Sequence, residues 1–329
     1  MVGESSLTRT YASLLTDTVD TFLGTGILHD NVFNNDPTLQ RLRTGERIKV
    51  IDGGVRIRVP ILFEGNSTFK WYADYENLNV TPQEGLTTAW YTWKQGAVSI
   101  SIAGSELRRN MGDAEVRDLA KDKMTQAELS MTDNVATGVF SDGTGTSNKQ
   151  LTGLEAMIAT TTTSGTYADI NTANNTAWRN QAVASVGAAA ANFIPNLRTQ
   201  MNNCSEGKGA ATKPDFVVTT QTVHEAFESL MTPRVRYQPN PSGGADAGIE
   251  KLLFKGAEVY WDSYCTSGAA YILNSNHIMM FVHRQANFAL AEEGFQRPID
   301  QDALVTQILF HGNMATNNRR KLGKLTGIT

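Results

Sequence analysis

The sequence predicts an α+β chain assembled from interleaved segments rather than a regular βαβ repeat. Three observations carry that prediction. Apolar residues alternate with polar ones over 47–61, the period of half-buried strands. A single apolar face then persists at helical spacing from Asp113 to Val139. Short strands and helices follow in mixed order to the end of the chain.

The first element reads as a helix. Leu7, Tyr11, Leu14, Leu15, Val19, Phe22 and Leu23 recur at helical spacing, with Ser5 or Ser6 to cap its start and Gly24 and Gly26 to stop it. It is either an ordinary packed helix or an arm that docks on a neighbouring subunit. Next, Ile48 and Val50 are separated from Val55, Ile57, Val59 and Ile61 by Asp52-Gly53-Gly54, a hairpin signal. A long polar stretch, Glu64 to Gly85, follows, and Val98, Ile100 and Ile102 alternate on a returning strand. The whole reads as a long two-stranded excursion. It gathers Trp71, Tyr72, Tyr75, Trp90, Tyr91 and Trp93. A two-stranded ribbon cannot bury two aromatic faces by itself, and Trp and Tyr are enriched at interface hot spots. These six are therefore the candidate inter-subunit contacts, against the alternative that the ribbon folds back on its own domain.

The long helix takes Met124, Ala127, Met131, Val135 and Val139 on one face and ends at Gly138 and the loop 141–148. At 1.5 Å per residue it spans about 40 Å. Residues 159–176 read as an irregular loop. A helix runs through Leu197 and Met201, with Asn192 expected as its cap and Pro195 in its first turn. Phe216-Val217-Val218 is a buried strand, and a helix follows through Val223, Phe227 and Leu230. A Pro- and Gly-bearing loop covers 237–248. Further strands are expected around Val259, over 271–273, over 278–282 and over 302–310. Arg319-Arg320-Lys321 reads as a solvated basic tail that could touch nucleic acid.

Composition limits the function. The chain has 329 residues, 40% hydrophobic and 19% charged, enough apolar material for one large or two medium packed domains. The net charge of −4 does not suit a protein that wraps nucleic acid by neutralising phosphates. Cys204 and Cys265 are the only cysteines, too few for a disulfide scaffold or a Cys-rich zinc site, and they read as reduced thiols. No stretch of about 20 apolar residues can span a membrane. Residues 1–10 carry no apolar signal core, so the expected place of synthesis and assembly is a cytoplasm.

No catalytic or cofactor motif emerges. Gly24-Thr25-Gly26 lacks the third glycine of a dinucleotide fingerprint, and Asp142-Gly143-Thr144-Gly145 lacks the lysine of a phosphate loop. Both read as turns. His277 and His283 have no carboxylate or thiol neighbours in sequence to complete a metal site. His224-Glu225 is not followed by a second histidine at zincin spacing, and no serine lies in a Gly-x-Ser-x-Gly elbow. The expectation is a protein without catalytic activity, cofactor or metal.

The second half resembles a known family. Gly153-Leu154, Trp178-Arg179 and Lys213-Pro214-Asp215-Phe216-Val217-Val218 come first. Phe254-Lys255-Gly256 with Val259 and Asp262, then Tyr271-Ile272-Leu273-Asn274, continue the run. Gly312-Asn313-Met314 and Asn318-Arg319-Arg320 end it. In this order they are similar to the major capsid proteins of tailed bacteriophages with the Hong Kong 97-type fold, over residues 150–325. The order of elements in 1–140 agrees with that family's N-terminal arm, extended β-hairpin loop and spine helix.

The resemblance implies an α+β capsid fold with an N-terminal arm (1–46), a β excursion or E-loop (47–103), a P-domain with the spine helix (104–150 and 284–329) and an A-domain (151–283). It implies a shell subunit that self-assembles into pentamers and hexamers of an icosahedral virion capsid, put together in a bacterial host cytoplasm around double-stranded DNA bound non-specifically. The excursion begins near Arg47, so the scaffolding protein is expected to be a separate chain, if one is used. A portal and a decoration protein are the other implied partners, and no membrane is involved. Two alternatives stand beside this: a nanocompartment shell of the same fold that packages an enzyme, and an enzyme of unrecognised type.

Overall fold

The computed structural model describes residues 37–109, 113–205, 213–231, 252–291 and 294–329. The helix expected over 7–23 and the loop over 237–248 lie outside them. In chain order the elements are α1 (Pro37–Thr44), β1 (Ile48–Ile51), β2 (Ile57–Leu62), β3 (Leu86–Tyr91), β4 (Lys94–Ala103), α2 (Gly104–Arg109) and α3 (Asp113–Val139). There follow α4 (Leu154–Met157), β5 (Thr166–Tyr167), β6 (Ile170–Asn171), β7 (Gln181–Val183), α5 (Ala189–Cys204), β8 (Phe216–Thr219) and α6 (Gln221–Met231). The chain closes with β9 (Leu252–Phe254), β10 (Ala257–Trp261), β11 (Ala270–Leu273), β12 (Ile278–Leu290), β13 (Ala303–Thr316) and β14 (Gly323–Leu325). They divide into two compact units, each drawn from three separated stretches: the described residues within 37–54, 93–153 and 280–314 in the first, and within 55–92, 154–279 and 315–329 in the second.

The first unit is a four-stranded sheet, β1-β12-β13-β4, with α3 packed on β4. The expected helical face is the buried one: Met124, Ala127, Met131, Val135 and Val139 are all in the core. The sheet presents Ile100, Ile102, Leu304, Ile308 and Phe310, also buried. Such side chains contribute roughly 1.5–3 kcal/mol each when fully covered. Gly153 closes this unit for a steric reason. A Cβ there would lie 2.2 Å from the Val139 carbonyl oxygen and 2.4 Å from that of Gly138, so the loop after α3 can return across the helix end only without a side chain.

Two strand pairings differ from expectation. The hairpin around Asp52-Gly53-Gly54 does not form. β1 instead runs parallel to β12, from Ile48↔Met280 to Ile51↔His283, and β2 pairs with β3. Gly53 and Gly54, at φ +143° and +121°, occupy backbone space that only glycine enters freely and carry the chain out of the first sheet. The alternating run through Val98 to Ile102 is not the return strand of the excursion either. β4 pairs with β13 over ten positions, from Ala303↔Ala103 to Gly312↔Lys94. Alternation reports a half-buried strand and is silent on its partner.

The second unit is built on a six-stranded mixed sheet, β7-β14-β11-β8-β10-β9. β8 and β11 are buried at every position, as central strands covered on both faces must be. Phe193, Leu197 and Met201 of α5 and Val223 and Phe227 of α6 pack with Val217, Val259 and Ile272 of the sheet in one core. Helix α5 starts earlier than expected. Pro195 therefore falls in its second turn, and Asn192 is no cap, since its Nδ2 donates to the Val186 carbonyl at 2.9 Å. The proline removes the donor that the Ala191 carbonyl would use. Ala191 is exposed, so water can serve that carbonyl.

The C-terminal stretch corrects two expectations. Residues 315–329 belong to this unit rather than to the one holding the long helix, because β14 is inserted between β7 and β11. The basic run is not a solvated tail. Arg319 is 2% exposed. Its Nε donates to the Met157 carbonyl at 2.7 Å, its Nη2 to Asn180 Oδ1 at 3.0 Å, and its guanidinium lies over the Tyr167 ring. Lys321 is buried as well, and buried Lys324 ion-pairs with Glu155.

Candidate inter-subunit surface

The register of β2 and β3 decides which way each aromatic side chain of the ribbon points. Ile57, Val59 and Ile61 are buried and alternate with exposed Arg58, Pro60 and Leu62. Across the ladder Ile57 faces Tyr91, Arg58 faces Trp90 and Pro60 faces Thr88. The Phe63 N–H donates to the Gly85 carbonyl at 3.0 Å. By the alternation of antiparallel ladders, the odd-numbered β2 residues exchange hydrogen bonds with β3. Pro60 then turns its donor-free nitrogen to the open edge, where a proline is tolerated and blunts further pairing.

The six sequence candidates fall in different settings. Tyr91 is 3% exposed. Its hydroxyl donates to the Thr316 carbonyl at 2.8 Å and accepts from the Thr316 N–H at 3.2 Å, and its ring meets Tyr167 edge-on at 5.8 Å. Burial drives its phenol pKa upward. Tyr91 is thus a core residue of its own chain, corrected from a surface contact, because its strand position faces inward with Ile57. Trp93 is half-buried in the first unit. Its Nε1–H donates to the Gly54 carbonyl at 2.8 Å, and its ring packs against His283 and His311.

Trp90 is on the outward face, 36% exposed, beneath the Arg58 guanidinium at 5.4 Å. The remaining three lie between the strands and are open to solvent: Trp71 at 88%, Tyr75 at 102%, and Tyr72. They are joined by residues that periodicity did not single out. Phe69 meets Trp71 edge-on at 5.3 Å. Leu62 and Leu86, partners in the ladder, are both exposed, as are Leu78 and Val80. Their only sequence signal is their setting, apolar side chains inside a polar stretch.

Local hydrogen bonds shape this segment. Asn66 Oδ1 accepts from the Thr68 N–H at 2.8 Å, and Asn79 Oδ1 from the Thr81 N–H at 3.1 Å, two Asx turns. Ser67 Oγ donates to Gln83 Oε1 at 2.7 Å, and Lys70 pairs with Glu76 at 2.7 Å. The apolar side chains are therefore held outward on a formed loop. Exposed apolar clusters of this kind mark interaction surfaces.

Other regions offer less chemistry. A cleft of about 330 Å³ in the second unit is lined by Asp169, Asn171, Asn175, Asn317, Asn318 and Arg320 among others. It gathers no histidine, cysteine or second carboxylate that could pair as nucleophile and base. Among the described residues no group of three or more His, Cys, Asp and Glu could hold a metal ion, and no helix is long and apolar enough to cross a membrane. His277 Nδ1 bonds to Asn317 Oδ1 at 2.8 Å, and His283 lies elsewhere, stacked on His311. Asp142 accepts from Thr144, so the Asp142–Gly145 run is a turn.

No family model and no curated protein matches the chain. Solved structures do resemble it. The cyanophage A-1(L) capsid asymmetric unit aligns with a TM-score of 0.62 and 14% identity, covering 89% of this chain and 93% of the other. The capsid of a native GTA particle aligns at 0.56 and 11% identity, over 88% and 91%. The capsid of Myoviridae phage XM1 aligns at 0.53 and 14% identity, over 87% and 91%. The fold is that of Hong Kong 97-type phage capsid proteins, across most of the chain.

Proposed function

We propose that this chain is the major capsid protein of a tailed bacteriophage, a structural subunit that self-assembles into an icosahedral shell around double-stranded DNA. The observation that carries the reading is the exposed apolar cluster on the ribbon, Phe69, Trp71, Tyr72, Tyr75, Leu78 and Val80, on a subunit whose fold is shared with phage capsids over nine-tenths of both chains. A subunit that keeps such side chains in water gains by covering them with a neighbour. Repetition around pentamers and hexamers multiplies a modest contact into a stable shell.

In this reading the ribbon within 47–103 is the E-loop and α3 the spine helix. The first unit is the P-domain, and the six-stranded unit, with 315–329 added, is the A-domain. Trp71, Tyr72, Tyr75 and Trp90 are the proposed inter-subunit contacts. A separate scaffolding protein, a portal and a decoration protein complete the proposed set of partners, with assembly in the host cytoplasm. The test is expression of the full chain, followed by size-exclusion chromatography and electron microscopy. Shells, closed or aberrant, or five- and six-membered capsomers support the proposal. A monomer or small dimer at every concentration overturns it.

A further inference from the structure

The two ends of the ribbon are tied together inside the first unit. Gly54 is the last residue before the chain leaves that unit, and Trp93 is the first on its return. The Trp93 indole N–H donates to the Gly54 carbonyl at 2.8 Å. Two imidazoles back this bond. His283, on β12 beside Ile51, and His311, on β13 opposite Gln95, stack at 5.5 Å with 19° between their planes. The indole leans on both, 4.8 Å from His311 and 6.1 Å from His283. A Cβ on Gly53 would lie 3.8 Å from His283 Nε2, so the second histidine also abuts the exit backbone.

We propose that Trp93, His283 and His311 form an acid-sensitive clamp on the base of the ribbon, closed while both imidazoles are neutral and opened by protonation. Two stacked rings attract as neutral aromatics and repel as cations. The Gln285 N–H donates to His283 Nδ1 at 3.2 Å, a bond that needs that nitrogen unprotonated. His311 Nε2 is buried and meets no hydrogen-bond partner among the described residues, so a proton placed there would be a buried charge that none of them answers.

The surrounding charges do not favour a cation. Among the described residues they are Lys49 on β1, Arg297 in the facing groove, and Asp52 with Arg284. Of these described groups all but Asp52 are cationic, and Arg284 engages Asp52 at 2.8 Å.

Burial first, and then His283, hold the His311 imidazole below the usual histidine range. The sign follows from linkage. Between that depressed value and the ordinary one near 6.5, the unfolded chain binds more protons than the folded one. Clamp stability is then complete above about pH 6.5 and falls as pH drops through this window.

The test uses the full-length chain and its Trp93→Phe, His311→Phe and His283→Phe/His311→Phe variants, titrated from about pH 8 to about pH 5. Three signals are followed: tryptophan emission, histidine C2 hydrogen–deuterium exchange by mass spectrometry, and amide exchange of peptides covering 52–57 and 90–95, corrected for intrinsic rates. In the wild type His311 should titrate below 6.5. Emission should change with the same midpoint, and the two peptides should exchange about tenfold faster on its acid side. The emission step should vanish in Trp93→Phe, and all acid responses should vanish in His311→Phe. A His311 midpoint at or above 6.5 overturns the proposal. So does an acid response that survives in the double-histidine variant. If the phenylalanine variants do not fold, the wild-type histidine exchange and the amide exchange of the two peptides decide the matter alone: different midpoints refute the clamp.

Discussion

Replacing Tyr91 by Phe and Trp71 by Ala should separate folding from assembly within one aromatic run. The Tyr91 hydroxyl is the partner of both the carbonyl and the N–H of Thr316, and the site is 3% exposed. Removing it strands a donor and an acceptor away from water, at about 1–3 kcal/mol for each group. A combined loss of about 2–6 kcal/mol lowers Tm by roughly 4–24 °C for a unit of this size. Trp71 is 88% exposed, and its main ring contact is Phe69. Its removal should change subunit stability by no more than about 0.5 kcal/mol. At an interface the same truncation costs about 2–4 kcal/mol, a thirtyfold or greater weakening of each contact. Circular dichroism melts should register the Tyr91 variant. Sedimentation and electron microscopy of assembly reactions should register the Trp71 variant. A larger Tm loss in Trp71→Ala than in Tyr91→Phe, or assembly of Trp71→Ala subunits at wild-type concentrations, would refute this division of roles.

Three further outcomes are expected. Glu128 of α3 is buried, with Oε1 unpartnered among the described residues, and burial raises its carboxyl above the usual range. Its charge therefore destabilises the fold increasingly from the ordinary glutamate value up to the raised one. Glu128→Gln should raise Tm at pH 7, and the gain should disappear below about pH 4. Gly153→Ala drives a Cβ into the Val139 and Gly138 carbonyls and should cost about 3 kcal/mol or more, read as loss of soluble chain or a lowered melt. Cys204 and Cys265 are buried, their thiols each pushed up to about 12 chiefly by desolvation. A thiol reagent at pH 7 should leave native protein unlabelled and should label both cysteines after denaturation.

The elements were more legible than their partners. The long helix is readable because one face repeats for seven turns, and the structure buries Met124, Met131 and Val135 of that face. Strand alternation at 48–61 was also correct, yet the pairing inferred from the glycines between the strands was not. The partner of β1 is β12, more than two hundred positions later in the chain, and no local signal encodes a parallel contact across that distance. The aromatic run shows the same limit. A strand period assigns Trp90 and Tyr91 to opposite faces, and they are on opposite faces. Which face is core depends on Thr316 and Tyr167, residues supplied by other segments. The tip residues Trp71 and Tyr75 lie outside any strand, so period gave them no orientation, and only their composition marked them.

The C-terminal cations bear most directly on how such a subunit could meet nucleic acid. A run of Arg, Arg and Lys near a terminus suggests a flexible electrostatic contact, which works only while the charges remain in water. Here Arg319 is spent on the Met157 carbonyl and Asn180, and Lys324 on Glu155. Desolvating these groups is costly, and fixed oxygens or an aromatic face meet each of them inside the unit. They therefore knit the last strand of the six-stranded sheet to α4 and to the loop before β7. That placement explains why 315–329 joins this unit, and it withdraws Arg319 and Lys324 from any contact with phosphate. A chain of net charge −4 that buries these cations is poorly suited to adhere to phosphate.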